Sequence, residues 1–365
     1  MLSFCRRYRK CFIWAVCVLT AAFGLILLSR SGAGFAQWYA VHLFPLFPNT
    51  IGRLLSPLPF SVYEFVLYAL VLGFLCFFVV LAWDLFRCRP KAKRLLSGFF
   101  RLVLWTVPAI FLMLTLTCTV NYGRTPFGEA AGYDMRDSSA DELEQLCQEL
   151  AAQANEYASL IPLSGEGGLS LASVDLKEET KAAMARLGKQ YPSLAGYYPN
   201  PKGVTFSWGM SHLRLTGMFS PFTIEANYNQ DIPDYEIPYT VCHELTHLKG
   251  WIREDEAGFI AYLACRESQE PALQYSGTLN ALSYAMSALY SAGRLESYAR
   301  IYDSLPEQAK IDYRASNRYW EQFETRVAEV STSLNDSYLK ANAQSDGVQS
   351  YGRMVDLLLA ERRSR

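Results

Sequence analysis

The chain has 365 residues, of which 51% are hydrophobic, and its 34 Lys and Arg nearly balance 35 Asp and Glu, for a formal net charge of −1. This balance argues against a nucleic-acid-binding protein, because proteins that bind a phosphate backbone rely on an excess of Lys and Arg. The 9 cysteines are an odd number, and most lie in apolar N-terminal segments, so they do not indicate a disulfide framework.

Three long segments without a charged residue lie in the first 120 residues, at about 11–28, 65–83 and 102–120. Each approaches the roughly 20 residues that a helix needs to cross a hydrocarbon core about 30 Å thick. We therefore predict a membrane region with three transmembrane helices over residues 1–121, embedded in the lipid bilayer. A signal peptide is the alternative for the first segment, but that segment exceeds the roughly 7–15 apolar residues of a signal peptide.

Basic residues flank these segments asymmetrically. Four lie within residues 6–10 and six within residues 87–101, whereas the connection between the first two segments carries only Arg30 and Arg53. Because Lys and Arg accumulate on the cytoplasmic side, we predict a multi-pass protein of the cell membrane with a cytoplasmic N-terminus. Everything after the third segment, residues 122–365, then forms an extracytoplasmic domain.

The extracytoplasmic domain has mostly helical periodicity, and its predicted fold class is α+β. Helices are predicted at residues 141–160, 175–191, 238–250, 253–267, 271–291, 294–303, 314–340 and 351–362. Short segments rich in β-branched and aromatic residues predict a small antiparallel sheet, with strands at residues 204–208, 213–218 and 222–228. The last of these strands could form the sheet edge along which an extended peptide lies.

The most informative motif is His243-Glu244-Leu245-Thr246-His247, an HExxH sequence on a predicted helix. Its two histidines lie one helical turn apart, so both imidazoles can bind the same Zn²⁺ ion, and the glutamate between them can act as a general base. The helix begins near Pro238, which suits a first helical turn, and ends at Gly250, which suits a left-handed cap. The motif predicts a zinc hydrolase site.

A catalytic zinc usually has three protein ligands and a water molecule, and the nearest candidates for the third ligand are Glu254, Asp255 and Glu256. In the gluzincin pattern the ligand Glu is followed three residues later by a small residue and four residues later by Asp or Asn. Ala257 at the small position selects Glu254, although Gly258 then lacks a side chain that could orient an imidazole. Glu256 is the second candidate.

A peptidase also needs a hydrogen-bond donor for the oxyanion that forms on the substrate. Several residues have suitable chemistry, and the sequence does not select among them: Tyr228, Tyr262, Tyr284, Tyr351 and His212. His212 is also an alternative metal ligand.

Segments 238–250 and 254–263 resemble a bacterial family of membrane proteins known only as a domain of unknown function. Further similarity lies in segments 220–222, 225–227, 338–342 and 350–352. The resemblance implies N-terminal membrane helices joined to an extracytoplasmic, zincin-like HExxH domain. Family members usually carry Asn at the position of Gly258, so this chain departs from the pattern there.

Together these features predict a membrane-anchored zinc metallopeptidase that hydrolyses peptides or proteins of the cell envelope. Zn²⁺ is expected on His243, His247 and Glu254, with Glu244 as the general base. The alternative is a non-catalytic sensor or scaffold of the cell envelope that keeps the zincin fold. Retention of Glu244 argues against this alternative, whereas Gly258 leaves room for it.

Overall fold

A computed structural model of the protein describes residues 2–342 and 353–365. The helices are α1 (Leu2–Arg30), α2 (Ala33–His42), α3 (Arg53–Leu55), α4 (Val62–Arg87), α5 (Arg89–Thr117), α6 (Phe127–Ala130), α7 (Ala140–Ala158), α8 (Leu176–Gln190), α9 (Ser207–His212), α10 (Ile237–His247), α11 (Glu254–Arg266), α12 (Pro271–Ser291), α13 (Leu295–Asp303), α14 (Glu307–Glu321), α15 (Arg326–Ala341) and α16 (Met354–Ser364). The strands are β1 (Lys202–Val204), β2 (Gly217–Ser220) and β3 (Glu225–Asn229).

Three helical segments near the N-terminus are long and apolar enough to cross a membrane, and they lie where the three apolar spans were predicted. They are Arg7–Arg30, Val62–Arg87 and Arg89–Gly123. The first packs along the third through aromatic pairs such as Trp14 with Trp105, whose ring centroids lie 4.9 Å apart. The most apolar window of α4 has no buried residue. These helices are consistent with a membrane anchor.

The connection between the first two spans packs against the C-terminal domain. The ammonium group of Lys202, at the start of β1, donates hydrogen bonds to the carbonyl oxygens of Leu55, Ser56 and Leu58. The backbone N–H of Asn200 also donates a hydrogen bond to the Ser56 hydroxyl, at 2.9 Å. The connection and the domain therefore lie at the same end of the membrane helices.

Two buried carboxylates join α4 to the sheet, and we call this pair, Glu64 and Glu225, the carboxylate clamp. Glu225, at the start of β3, accepts hydrogen bonds from the first two backbone N–H groups of α4 at 3.1 and 3.0 Å. In the opposite direction Glu64 accepts from the N–H groups of Thr205 and Phe206 at 2.9 and 2.8 Å. An anion at a helix N-terminus satisfies donors that the helix itself cannot pair.

The core of the C-terminal domain forms around α10, α11 and α12, with α7, α8 and α16 packed outside them. Its largest fully buried side chains include Trp251, Phe259, Tyr262 and Tyr275. Helix α11 is buried almost all round from Asp255 to Cys265. The motif helix α10 and its partner α11 are thus held on all sides by packed neighbours, which fixes the direction of their polar side chains.

The sheet has the strand order β1-β3-β2 and is mixed, so the prediction of a purely antiparallel sheet was wrong. The β2–β3 pair is antiparallel, but β1 runs parallel to β3 with Gly203 opposite Tyr228. Residues 207 and 208, which we expected to end a strand over residues 204–208, instead begin α9, where the Ser207 hydroxyl donates to the Val204 carbonyl. We expected the strand at residues 222–228 to form a sheet edge that could bind a peptide. This strand corresponds to β3, which is central, and the edge strand beside the motif helix is β2.

The motif helix begins as predicted, with Pro238 in its first turn, but it ends at His247, three residues before the predicted end at Gly250, which adopts the left-handed conformation (φ 74°) in the turn that follows. The single helix expected over residues 314–340 is instead two, α14 and α15. They separate because the Thr325 side chain accepts a hydrogen bond from the Ala328 N–H and starts a new helix. The last predicted helix corresponds to α16; its first expected residue, Tyr351, lies outside the described residues.

Candidate metal centre

The turn between α10 and α11 brings three potential ligands together. Gly250 adopts a left-handed conformation, and a β-carbon there would lie 3.1 Å from the Phe44 ring, so glycine suits this position on both counts. Trp251 follows as a fully buried anchor, with the Arg124 guanidinium 3.5 Å from its ring centroid. The chain then reverses, and Glu254, the first residue of α11, faces the end of α10.

The ligand atoms of His243, His247 and Glu254 lie within 4.8 Å of one another. Glu254 Oε2 is 2.9 Å from His243 Nε2 and 3.8 Å from His247 Nε2. Ligands about 2.0–2.1 Å from a tetrahedral zinc ion are ~3.3 Å apart, a value that these two distances bracket. The two imidazole planes are nearly perpendicular, at 87°. This group of two imidazoles and one carboxylate could hold a metal ion.

The tautomer of His247 is fixed by the backbone. Its Nδ1 lies 2.7 Å from the Trp251 carbonyl oxygen, which can only accept, so Nδ1–H donates and the Nε2 lone pair points to the cluster. Burial lowers the pKa of His247 to about 4, although Glu254 opposes this shift. For His243, burial also favours the neutral ring, but the hydrogen bond and charge of Glu254 outweigh it and raise its pKa. Neutral imidazole, the form expected for His247 at neutral pH, is the metal-binding form.

Glu244 lies beside the cluster without being part of it. Its side chain is buried against β2, close to Gly217 and to the backbone of Phe219. Its Oε2 atom has no hydrogen-bond partner among the described residues. Burial, reinforced by Glu254 and opposed by His243, raises the pKa of the Glu244 carboxyl to about 8. A carboxylate with this proton affinity is suited to general-base chemistry near neutral pH.

The side chains of Asp255 and Glu256, the other two acids considered as third ligands, point away from the two imidazoles. Glu256 accepts a hydrogen bond from the Phe127 N–H at 2.7 Å and lies 3.6 Å from the Arg253 guanidinium. Asp255 pairs with Arg353 at 3.1 Å. Burial raises the pKa of Glu256 to about 7. Of the three acids, only Glu254 faces both imidazoles.

The space beside Gly258 explains why this chain departs from the gluzincin pattern there. A β-carbon on Gly258 would lie 2.8 Å from the Tyr239 hydroxyl and 3.3 Å from the Met354 sulfur. The Tyr239 ring, in turn, lies 6.4 Å from the His243 ring. The volume that an Asn side chain would fill is therefore occupied by Tyr239 and Met354.

The cluster opens into a cavity of about 840 Å³. Of the tyrosines considered from the sequence, Tyr284 lines this cavity, and burial together with Glu254 raises its pKa to about 12. Tyr228 and Tyr262 do not line it, and Tyr351 is outside the described residues. His212 packs between Trp208 and Phe323, with ring centroids 4.1 and 5.0 Å away, and is not part of the cluster.

Sequence reasoning missed four other tyrosines on the cavity wall, Tyr63, Tyr122, Tyr239 and Tyr338. Two of them come from distant segments: Tyr122 lies at the end of the third span and Tyr338 near the end of α15, and their side chains interact with each other. Both are electrostatically coupled to Glu254. No local pattern marks either residue, because they approach the metal cluster from segments more than 80 residues away in both directions.

The sequence model of one protein family, described as "Protein of unknown function (DUF3810)", matches residues 39–359. No curated protein and no solved structure gives a significant match. The matched region includes the second and third spans, the sheet, and both helices that carry the candidate ligands. Since the match covers far more than half of its length, the chain belongs to the DUF3810 family.

Proposed function

We propose that this protein is a membrane-anchored zinc metallopeptidase with a zincin-like domain that works outside the cytoplasm. The observation that carries the proposal is the convergence of His243, His247 and Glu254 on one point, with the unliganded carboxylate of Glu244 at its side. Three protein ligands that leave room for a fourth are typical of catalytic zinc sites. A cavity of about 840 Å³ gives substrate access to this point.

Zinc held by these three residues would polarise a water molecule and the scissile carbonyl group. Glu244 would take the proton from the water through its unpartnered Oε2 and later donate it to the leaving amine. The Tyr284 hydroxyl, on the cavity wall, is the candidate donor for the developing oxyanion. Strand β2 is an edge strand in the described part of the chain, and its Gly217, Met218 and Phe219 line the cavity, so this edge would hold an extended substrate through main-chain hydrogen bonds.

The orientation in the membrane is also a proposal. The weakly charged connection between the first two spans packs against the C-terminal domain, so both lie on one side. The segments with four and six basic residues lie at the other end of the spans. By the positive-inside rule that end is cytoplasmic. A reporter fused after Arg365 is expected to be extracytoplasmic, and a cytoplasmic signal would reverse this orientation.

A non-catalytic sensor or scaffold with the same fold is the second candidate. Such a protein needs the metal ligands but has no use for Glu244, whose burial without a partner for Oε2 carries a cost in folding free energy. The presence of Glu244 next to the ligands, despite this cost, favours the catalytic role over the sensor or scaffold.

The test uses the full chain in detergent and measures bound zinc together with cleavage of a soluble pool of random peptides. We expect about one zinc per wild-type chain and Zn-dependent cleavage. Glu244→Gln should retain zinc and lose cleavage by about 10²–10⁴-fold, whereas His243→Ala should lose both. His212→Ala, outside the cluster, is the matched control and should retain both. Zinc binding unaffected by His243→Ala, or zinc binding without Glu244-dependent cleavage of any peptide, would contradict the peptidase proposal.

A further inference from the structure

The cavity at the metal centre has a wall made by the membrane helices. Tyr63 at the start of α4 and Leu114 and Cys118 at the end of α5 line the same cavity as His243 and Glu254. Leu114 lies within one helical turn of the end of α5. The reaction site therefore borders the ends of two membrane spans and does not open only toward bulk solvent.

A single layer of side chains separates the third span from the metal ligands. Cys118 and Ile252 belong to a small buried cluster against which Leu114 and Phe219 pack. The Phe219 ring lies 6.0 Å from the His247 ring. The His247 ligand is therefore linked to the end of α5 through the Phe219 side chain.

The cavity is bordered by exposed apolar side chains. Leu213 and Phe222 line the cavity and are 41% and 36% exposed. Phe206 and Trp208, in ring contact with each other, are also exposed, and the Phe206 N–H is bound by Glu64 of α4. Aromatic residues at the end of a span are typical of the membrane interface.

Helix α15 adds a second exposed apolar surface. Its Val327, Val330 and Leu334 are exposed at i, i+3 and i+7, which lie on one helix face. The same helix contributes cavity-lining residues and ends where the Ala341 carbonyl accepts a hydrogen bond from Arg30 of the first span. An exposed apolar helix face on the element that also lines the cavity and contacts the first span fits contact with a lipid-embedded partner.

We propose that the substrate is a polypeptide anchored in the same membrane, cut in the segment that has just left the bilayer. This inference rests on the proposed peptidase function. A peptide fits better than a lipid, because the edge strand β2 offers main-chain hydrogen bonds that an acyl chain cannot use. The carboxylate clamp ties the sheet to α4, so the site cannot move away from the membrane surface.

The experiment compares three substrates with the full chain reconstituted in vesicles of phosphatidylethanolamine and phosphatidylglycerol. The first is a random peptide segment joined directly to a single transmembrane helix. The second carries the same random segment after an uncleaved Gly/Ser spacer of about 30 residues, which moves it ~30 Å from the helix end. The third is the random segment without a helix. The first two are equally confined to the membrane, so their comparison isolates distance from the bilayer.

We expect the directly joined segment to be cut at least about tenfold faster than the spaced one, at bonds within about ten residues of the helix, with Glu244→Gln abolishing the reaction. The expected tenfold matches a difference of about 1.4 kcal/mol. Phe222→Asp should slow this cleavage several-fold, whereas Leu295→Asp, an exposed control at 54%, should not. Equal cleavage of all three substrates would overturn the inference and leave the peptidase proposal standing. Glu244-dependent hydrolysis of vesicle lipid, or no cleavage of any substrate, would overturn both.

Discussion

Gly217 lies against Glu244 with no room for a side chain between them. A β-carbon on Gly217 would be 2.5 Å from Glu244 Oε1 and 2.8 Å from Thr240 Cγ2. Gly217 begins β2, so the edge strand and the motif helix approach each other here as closely as a backbone allows. The position of Glu244, the proposed general base, therefore depends on a glycine in the neighbouring strand.

Gly217→Ala should displace the Glu244 carboxylate while leaving the metal ligands in place. We expect zinc content near that of wild type and a loss of peptide cleavage of at least about tenfold, approaching the loss in Glu244→Gln. Gly165→Ala, where a β-carbon would meet nothing within 4 Å, is the control. Full cleavage by Gly217→Ala would show that the contact does not position the base.

The third ligand can be identified by comparing Glu254→Gln with Glu256→Gln in zinc analysis of the full chain. Glu254→Gln should lose most of the bound zinc, because a neutral amide replaces the carboxylate nearest both imidazoles. Glu256→Gln should keep about one zinc per chain, since Glu256 contacts Phe127 and Arg253 instead. The opposite pattern would make Glu256 the ligand.

Removing one half of the carboxylate clamp should destabilise the whole protein. In Glu225→Ala two backbone N–H groups of α4 lose their acceptor, and buried donors without partners cost about 1–3 kcal/mol each. We expect a clear drop in the thermal unfolding midpoint in detergent, with Glu225→Gln intermediate because one acceptor oxygen remains. Glu166→Ala, on an exposed loop, should be neutral. If Glu225→Ala unfolded at the same temperature as Glu166→Ala, the clamp would have no measurable part in stability.

Asp312 should make stability depend on pH in the acidic range. Burial raises its pKa to about 6, although hydrogen bonds from Tyr275 (2.7 Å) and the Leu169 N–H lower it. The folded state therefore binds this proton more tightly than the unfolded state does, and the free energy of unfolding falls as pH rises from about 4 to about 6, by up to about 3 kcal/mol.

Asp312→Asn should flatten this part of the profile in thermal unfolding between about pH 4 and pH 6. The exposed Asp303 provides the control substitution, Asp303→Asn. A wild-type slope in Asp312→Asn would assign the dependence to other groups.

The motif helix and the turn after it were predictable because their signals are local. Pro238, the HExxH residues and Gly250 lie within one short segment, and each has a position-specific preference. The choice between Glu254 and Glu256 was harder, because helix starts are uncertain by one or two residues. In the structure α11 begins at Glu254 itself, which turns Glu256 about 200° away around the helix.

The order of the sheet strands and the contribution of α4 and α5 to the cavity wall were not predictable from local patterns. Parallel pairing of β1 with β3 depends on how α9 reverses the chain, and alternation of residue types carries no information about strand direction. The hydrogen bond between Glu64 and the Thr205 N–H joins residues 141 positions apart. A glutamate near the start of an apolar helix gives no sign of such a distant partner.

The carboxylate clamp and Lys202 also mean that residues 55–63, far upstream in the sequence, complete the interior of the C-terminal domain. A recombinant fragment starting after Asn121 would keep Glu225 and Lys202 in its interior while deleting the backbone groups of residues 55–63 that they bind. Such a truncated product would aggregate or misfold for reasons unrelated to catalysis. The smallest portion of this polypeptide that can be purified in a native state is therefore one that still carries its hydrophobic stem.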